Sequence, residues 1–358
     1  MLKFTIILLA IVFVLVIGML IWLKRFQNDP DVALRYAKKR KGEKDVSLII
    51  RRNSQELISI NPNVALPLAS TVKVILVIEY ARQVSNKMID ENTLVPKEEL
   101  LKYYIDQTDG RAHKKWVEEN DKNHYTLKEI AIGMAAYSSN ANTEFLLNYI
   151  GIAEVNNILE SLKLKNHSYI FPIVSSLHIP GYIRMKEKIT DKKDLLNRMK
   201  TMSMDEYIKY AQIIHDHLTN KENRDYMEDV KVDYEFQKIW SDRLPSGSAS
   251  DYLSIMKMIN GREAFNSTMQ SCIEEILSYS LYINEENRKW IQRGGMKGGS
   301  TLFVYTYASY TTDKIGNQTE IVFLSNNLSA LTSKKIKMNF NQFALKILTN
   351  ESFRKQIS

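Results

Sequence analysis

Hydrophobic and polar positions divide the 358-residue chain into three kinds of segment. The first is uncharged. Phe4 to Leu23 reads FTIILLAIVFVLVIGMLIWL, long enough to cross a bilayer. Trp22 suits a membrane interface, and Lys24 and Arg25 stop the run. The run exceeds the apolar stretch of a signal peptide and no A-x-A site follows, so the pattern predicts an uncleaved anchor over residues 1–26. Residues 27–45 are polar and charged and predict a juxtamembrane stalk. The second kind of segment is strand-like. VSLIIRR (46–52) and ELISINP (56–62) flank NSQ as strand, turn and strand. STLFVYTYASY (300–310) alternates as a half-buried strand does, and EIVFLSNN (320–327) is its partner across TDKIGNQ. The third kind is helical. It covers residues 71–84 and nearly everything from about Pro96 to Ile239. In YTLKEIAIGMAAY, Thr126 and Glu129 have capping-box spacing. DYLSIMKMIN follows the break at LPSGSAS, and a last helix sets Ile336, Phe340, Phe343 and Ile347 on one face.

Strands at both chain ends with helices between them predict an α+β domain over residues 46–358. An antiparallel sheet is closed by the two termini, and an all-helical lobe is inserted at about 95–240. Composition agrees with a globular chain, at 44% apolar and 25% charged. A net charge of +8 suggests an anionic neighbour such as a membrane surface or a wall polymer. No zinc spacing or Arg/aromatic repeat supports nucleic acid. The lone Cys272 excludes an intramolecular disulfide and, in STMQSCIEEIL, reads as a buried apolar residue. His215 and His217 are two apart, where helical metal pairs need i,i+4, and read as a surface feature.

Three short elements carry candidate chemistry. Ser70-x-x-Lys73 lies where a turn becomes an apolar helix. There the serine oxygen is exposed, the free N–H groups favour negative charge, and Lys73 shares its face. A second S-x-x-K, Ser254–Lys257, lies within a helical pattern, where the serine bonds its own backbone. Ser138-Ser139-Asn140 lies on a connection between two helices, whereas the similar Ser325-Asn326-Asn327 ends a strand. Lys297-Gly298-Gly299-Ser300 opens the C-terminal strand, and its glycines let a ligand approach the backbone.

In this order and spacing the elements match the S-x-x-K, S-x-N and K-[TS]-G set. The chain resembles the penicillin-recognising serine enzymes from about residue 46 to 350, and TLKEIAIGMAAYSSNANTEFLL looks most like the class A β-lactamase branch. The resemblance implies a β-lactamase/transpeptidase-like fold. It implies Ser70 as acylated nucleophile, Lys73 as its proton acceptor and Ser138 as proton relay to the leaving nitrogen. Lys297 is the implied cation for the substrate carboxylate, and Asn140 the implied partner of the substrate's amide side chain. The N–H groups of Ser70 and Ser300 form the implied oxyanion hole, Gly299 belongs to the strand that holds substrate, and Ser300 and Thr301 add implied hydroxyl contacts. No metal or organic cofactor is implied. The implied substrates are β-lactams or D-Ala-D-Ala wall peptides, which lie outside the cytoplasmic membrane. That location sets the domain outside, although the basic run after the span would by itself set it inside. The sequence departs from the pattern twice. Gly298 replaces the threonine of K-T-G, and LKLKNHSYIFPIVSSLHIPGYI lacks the loop glutamate with which class A enzymes activate water. The expected function is a membrane-anchored serine acyl-hydrolase. The alternatives are a D,D-carboxypeptidase or transpeptidase, or a β-lactam-binding sensor or scaffold that does not hydrolyse.

Overall fold

Strand-forming sequence sits near the two ends of the chain, and in space the two ends meet. The computed structural model describes residues 2–106, 108–220, 225–228 and 233–357; the side chains of residues 2–3, 5–12, 14, 21–22 and 228 lie outside the description. Strands β1 (Val46–Arg52), β2 (Gln55–Ile60), β3 (Ile291–Ser300), β4 (Tyr305–Asp313) and β5 (Gln318–Ser325) form one antiparallel sheet in the order β2-β1-β5-β4-β3. Both of its faces are covered, which explains the unbroken apolar run in VSLII. Leu48 and Ile50 point to one core with Ile321 and Phe323; Ile49 points to the other with Val322 and Leu324. In register, Ile49 stands opposite Val322, and Val322 opposite Ala308.

At the N-terminus, helix α1 (Leu2–Gln27) precedes α2 (Val32–Lys39). Most of the side chains from Phe4 to Leu23, where the anchor is expected, lie outside the described residues. Among the described residues no helix is long and apolar enough to cross a membrane. The expected stalk is instead docked on the domain. Ala33, Leu34 and Ala37 of α2 are buried in one core with Phe340, Phe343 and Ile347 of the long C-terminal helix Ala330–Thr349. Polar ties reinforce the contact. Asn339 accepts from the Asp29 N–H at 2.7 Å, and Lys346 pairs with Asp31 at 2.8 Å. The three apolar positions occupy one narrow stripe of an otherwise charged helix, so they are hard to see in composition.

A second departure concerns β3. KGGS closes this strand rather than opening the next one, and residues 301–304 turn between β3 and β4. Glycines hide the strand in QRGGMKGG. A Cβ on Gly295 would lie 2.7 Å from the Tyr310 ring and 2.8 Å from Leu277, so the absence of side chains is what lets helix Ser267–Tyr282 lie against β3.

Helix α3 (Lys73–Ser85) runs through the middle of the main core with Val74 to Ala81 all buried. Helix α4 (Asn140–Ile150) packs beside it. The capping box of Thr126 and Glu129 forms and starts helix Leu127–Ile132. Helices Ile179–Glu187, Lys192–Thr201, Met204–Asn220 and Tyr234–Asp242 build a further core of their own around Leu195, Tyr207 and Ile214. Cys272 is free and buried.

Candidate active site

Ser70 lies in a single 3₁₀ turn, Ala69–Val72, that leads into α3 at Lys73. Ala69, just before it, has φ 45°, a left-handed conformation that costs a residue with a Cβ. Hydroxyls rivet this strained turn to the sheet. Thr306 Oγ1 of β4 donates to Leu68 O at 2.8 Å and lies 2.8 Å from Thr71 Oγ1. β3 closes against the same turn. A Cβ on Gly299 would meet Ser70 N and Thr306 Oγ1 at 2.6 Å and Leu68 O at 2.8 Å. Only glycine fits there, whereas a Cβ on Gly298 would have Thr306 O, at 3.6 Å, as its neighbour.

The second element is shaped by a π-helical turn, Gly133–Tyr137, which ends with Ser138 at φ 69°. Such turns widen the helix and are frequent at functional sites. Gly133 permits it, since a Cβ there would lie 2.3 Å from Asn142 Nδ2 and 2.7 Å from Trp116. Ser139 caps α4 by accepting from the Asn142 N–H at 3.2 Å, and its Oγ lies 2.9 Å from His113 Nδ1. Ser138 is thereby turned toward both lysines.

Lys73 is fully buried and Lys297 is 4% exposed. Lys73 Nζ donates to Ser138 O at 2.9 Å, to Asn140 Oδ1 at 3.2 Å and to Ser138 Oγ at 3.3 Å. Lys297 Nζ donates to the same Ser138 Oγ at 3.0 Å and to Gly298 O at 2.9 Å. The hydrogen bonds of Lys73 go to Ser138 and Asn140 rather than to Ser70. Burial pushes Lys73 well below the ordinary lysine range and the Lys297 cation pushes the same way, while Asp109 and Glu144 pull it back in part. Burial alone brings Lys297 down to about 7. Two amines on one hydroxyl do not both keep a proton easily, and both are pushed toward the neutral form.

A cavity of about 400 Å³ opens on these groups. Ser70, Ser138, Asn140, Gly298, Gly299 and Ser300 line it, and Ile173, Val174, Trp240, Leu244 and Tyr305 supply its apolar wall. Thr108, Asp109, Gly110 and Ala69 complete the lining. Of the residues expected at the site, Thr301 is elsewhere. Its Oγ1 accepts from Ser241 Oγ and from the N–H groups of Phe303 and Val304, which commits it to the turn after β3. Ser300 is exposed on the cavity lining. Neither decoy borders the cavity: Ser254 lies inside helix Ala249–Gly261, and Ser325 Oγ donates to Tyr305 O at 2.7 Å.

The stretch from Leu162 to Ile183, which lacks the glutamate of the class A pattern, presents Ile173 and Val174 to the cavity. The carboxylate nearest in bonding terms is behind them. Glu144 of α4, fully buried, accepts from the Val174 N–H at 2.9 Å, from Ser175 Oγ at 2.7 Å and from His215 Nδ1 at 2.9 Å. His215 is therefore buried and bonded, not a surface residue, because Met204–Asn220 turns it inward against this loop. His217 pairs with Tyr226 at 2.9 Å. Glu187, at the end of helix Ile179–Glu187, is held by Arg198. The sequence pattern gave no hint of Asp109 beyond an Asp-Gly turn signal, nor of Glu144, which looks like one more polar helix position.

No curated protein matches the chain in sequence. Among solved structures it is similar to a β-lactamase from Chitinophaga pinensis (TM-score 0.53, 13% identity, covering 87% of this chain and 97% of that one). It is similar to a β-lactamase from Sphaerobacter thermophilus to the same degree (TM-score 0.53, 16% identity, 88% and 95% covered). A PBP-A variant described as an acyl-enzyme complex with penicillin G has TM-score 0.51 and 12% identity, with 88% and 97% covered. These identities speak for the fold. In sequence, residues 32–282 match the β-lactamase enzyme family, so with well over half of its length matched the chain belongs to that family, within the penicillin-recognising serine enzymes.

Proposed function

We propose that this chain is a membrane-anchored serine acyl-transfer enzyme that attacks a β-lactam or D-alanyl amide carbonyl through an acyl-Ser70 intermediate and releases the acyl group slowly. The observation that carries this reading is the pair of buried amines, Lys73 and Lys297, converging on Ser138 Oγ in the cavity that also holds Ser70.

The chemistry follows from the charge states. Neutral Lys73 takes the Ser70 proton as Ser70 Oγ bonds to the carbonyl carbon, and the carbonyl electron pair moves to its oxygen. The N–H groups of Ser70 and Ser300 hold that oxyanion; a donor of this kind is typically worth about 3–4 kcal/mol in the transition state. On collapse the C–N bond breaks, and the nitrogen receives a proton through Ser138, which is resupplied from the lysines. Because Lys73 rests against Ser138 and Asn140, its amine swings toward Ser70 when substrate enters. Lys297 and Ser300 hold the substrate carboxylate.

Removal of the acyl group is the weak step in this reading, since Ile173 and Val174 stand where a base would activate water. This favours two neighbouring readings over a fast β-lactamase: a transpeptidase or carboxypeptidase, and a sensor that stays acylated. The substrates lie outside the cytoplasmic membrane, and the uncharged run from Phe4 to Leu23 supports anchoring there. Mass spectrometry of the protein incubated with penicillin G tests the core of the proposal. A single adduct on the Ser70 peptide, lasting minutes or longer, is expected. No adduct, or an adduct that survives Ser70→Ala, overturns it. Protease added to intact protoplasts tests the topology and is expected to digest the domain.

A further inference from the structure

One carboxylate in the cavity wall has no part in the chemistry above. Asp109 lies between Thr108 and Gly110, and all three line the cavity. Its Oδ2 accepts from the N–H of His113 at 3.1 Å and from that of Asn140 at 3.3 Å. Its Oδ1 is buried and has no hydrogen-bond partner among the described residues. A carboxylate oxygen removed from water without a donor is unfavourable until something cationic or N–H-bearing reaches it. The cations of its own segment are engaged elsewhere: Arg111 with Glu118, and Lys114 with Asp106. The charge nonetheless acts within the cavity, since Asp109 raises the basicity of Lys73.

Its position defines what it would meet. The same loop fixes Asn140, whose Nδ2 donates to Thr108 O at 3.1 Å. In the proposed reaction Asn140 bonds the amide of the acyl side chain. A substituent just beyond that amide is therefore beside residues 108–110, away from the lysines that take the carboxylate.

We propose that Asp109 is a specificity-determining residue that selects acyl donors carrying a protonated amine on the acyl side chain. This rests on the acyl-Ser70 reading. The ammonium would pair with the Asp109 carboxylate, which must turn to bring the enclosed Oδ1 to the cavity. The chemistry is the same whether the donor is an amino-substituted β-lactam or a wall peptide with a free lysine amine.

The test is a competition of side-chain charges on one ring system. Acylation rates of Ser70 are measured with ampicillin (cationic), penicillin G (neutral) and carbenicillin (anionic), at a pH where the ampicillin amine is protonated and at low salt. The order cationic, neutral, anionic is expected, with steps of roughly fivefold or more, as for one unit charge partly shielded from water. In the unaltered protein the steps shrink as salt is added, and in Asp109→Asn they collapse. A parallel pair, Lys-D-Ala-D-Ala peptides with the lysine amine free or acetylated, tells whether the preference extends to the peptide source. Equal rates for the three β-lactams in the unaltered protein overturn the inference, as does an order that survives Asp109→Asn. Acylation by none of them overturns the acyl-Ser70 reading and this inference with it, a result distinct from equal rates.

Discussion

On one side of the cavity the buried amines of Lys73 and Lys297 both bond the Ser138 hydroxyl, and Ser70 shares the lining with it. On another side, at residues 173 and 174, the wall is aliphatic, and the acid bonded to the Val174 N–H, Glu144, is tied to Ser175 and His215 and does not line the cavity. The two regions have opposite physical character because they answer different needs. Forming an acyl-serine requires a neutral amine and a nearby cation; burial favours the neutral amine at Lys73, and a charged Lys297 pushes it the same way. Breaking it requires a water with a base beside it, and an aliphatic wall offers neither. The comparison teaches that, on the proposed acyl-Ser70 reading, the groups for acylation gather on one wall while the wall at residues 173 and 174 is built for packing.

The largest expected effect lies on the acylation side. Lys73→Met should lower the rate of Ser70 acylation by about 10²–10⁴, the usual range for a general base. Stopped-flow acylation with a chromogenic cephalosporin measures it. A variant within a factor of about two of the unaltered protein would break the comparison, since the net around Ser138 would then be structural only. The other wall is tested by gain rather than loss. Ile173→Glu or Val174→Glu puts a carboxylate on the lining, and adduct decay followed by mass spectrometry should quicken, up to about 100-fold where water fits beside it. Unchanged decay in both variants would mean that shape, not the missing base, limits deacylation.

Much of this contrast is legible in the sequence, and for a definable reason. Ser70, Lys73, Ser138 and Asn140 are close in sequence to the turns and caps that orient them, so local pattern was enough to place them together. The sheet from both chain ends and the face formed by Ile336, Phe340, Phe343 and Ile347 also follow from periodicity. What was missed depends on contacts distant in sequence. Helix α2 reads as a spacer until the C-terminal helix is placed beside it. β3 is concealed by glycines whose meaning is the close approach of Leu277 and Tyr310. Thr301 looks free until Ser241 is brought to it, and His215 looks exposed until Glu144 is. Asp109 looks like a turn residue until the Asn140 N–H is brought to its carboxylate.

A smaller effect sharpens the comparison through pH. Lys297 sits at about 7 in the free protein, so its cation is present below that pH and lost above it. The efficiency of acylation by a carboxylate-bearing substrate should therefore fall as pH rises through about 7. A bound carboxylate favours the charged amine, so the fall should move to higher pH at saturating substrate. Stability should run the other way. An unfolded lysine holds its proton more tightly than buried Lys297 does, so melting temperature should rise with pH from about 7 toward the ordinary lysine range. Rates that stay flat across neutrality would show that Lys297 keeps its proton despite burial.

The finest test uses two adjacent glycines. Gly299→Ala drives a methyl against Ser70 N, Thr306 Oγ1 and Leu68 O, all within 2.8 Å of the new carbon, and two of these atoms are backbone. The turn carrying Ser70 would have to shift, so acylation should be strongly impaired. Gly298→Thr meets one carbonyl at an ordinary 3.6 Å, in a strand where β-branched residues are favoured. It also supplies the hydroxyl that the K-T-G pattern has and this chain lacks, on the cavity lining beside Lys297 and Ser300. One added hydrogen bond to a substrate carboxylate is worth about 0.5–1.5 kcal/mol, so acylation should quicken roughly two- to tenfold while adduct decay stays unchanged. Acylation and decay that rise together would show that the strand and the aliphatic wall are coupled. Acylation that falls would show that the cavity needs Gly298 bare, as it needs Gly299, for the close approach of a ligand backbone.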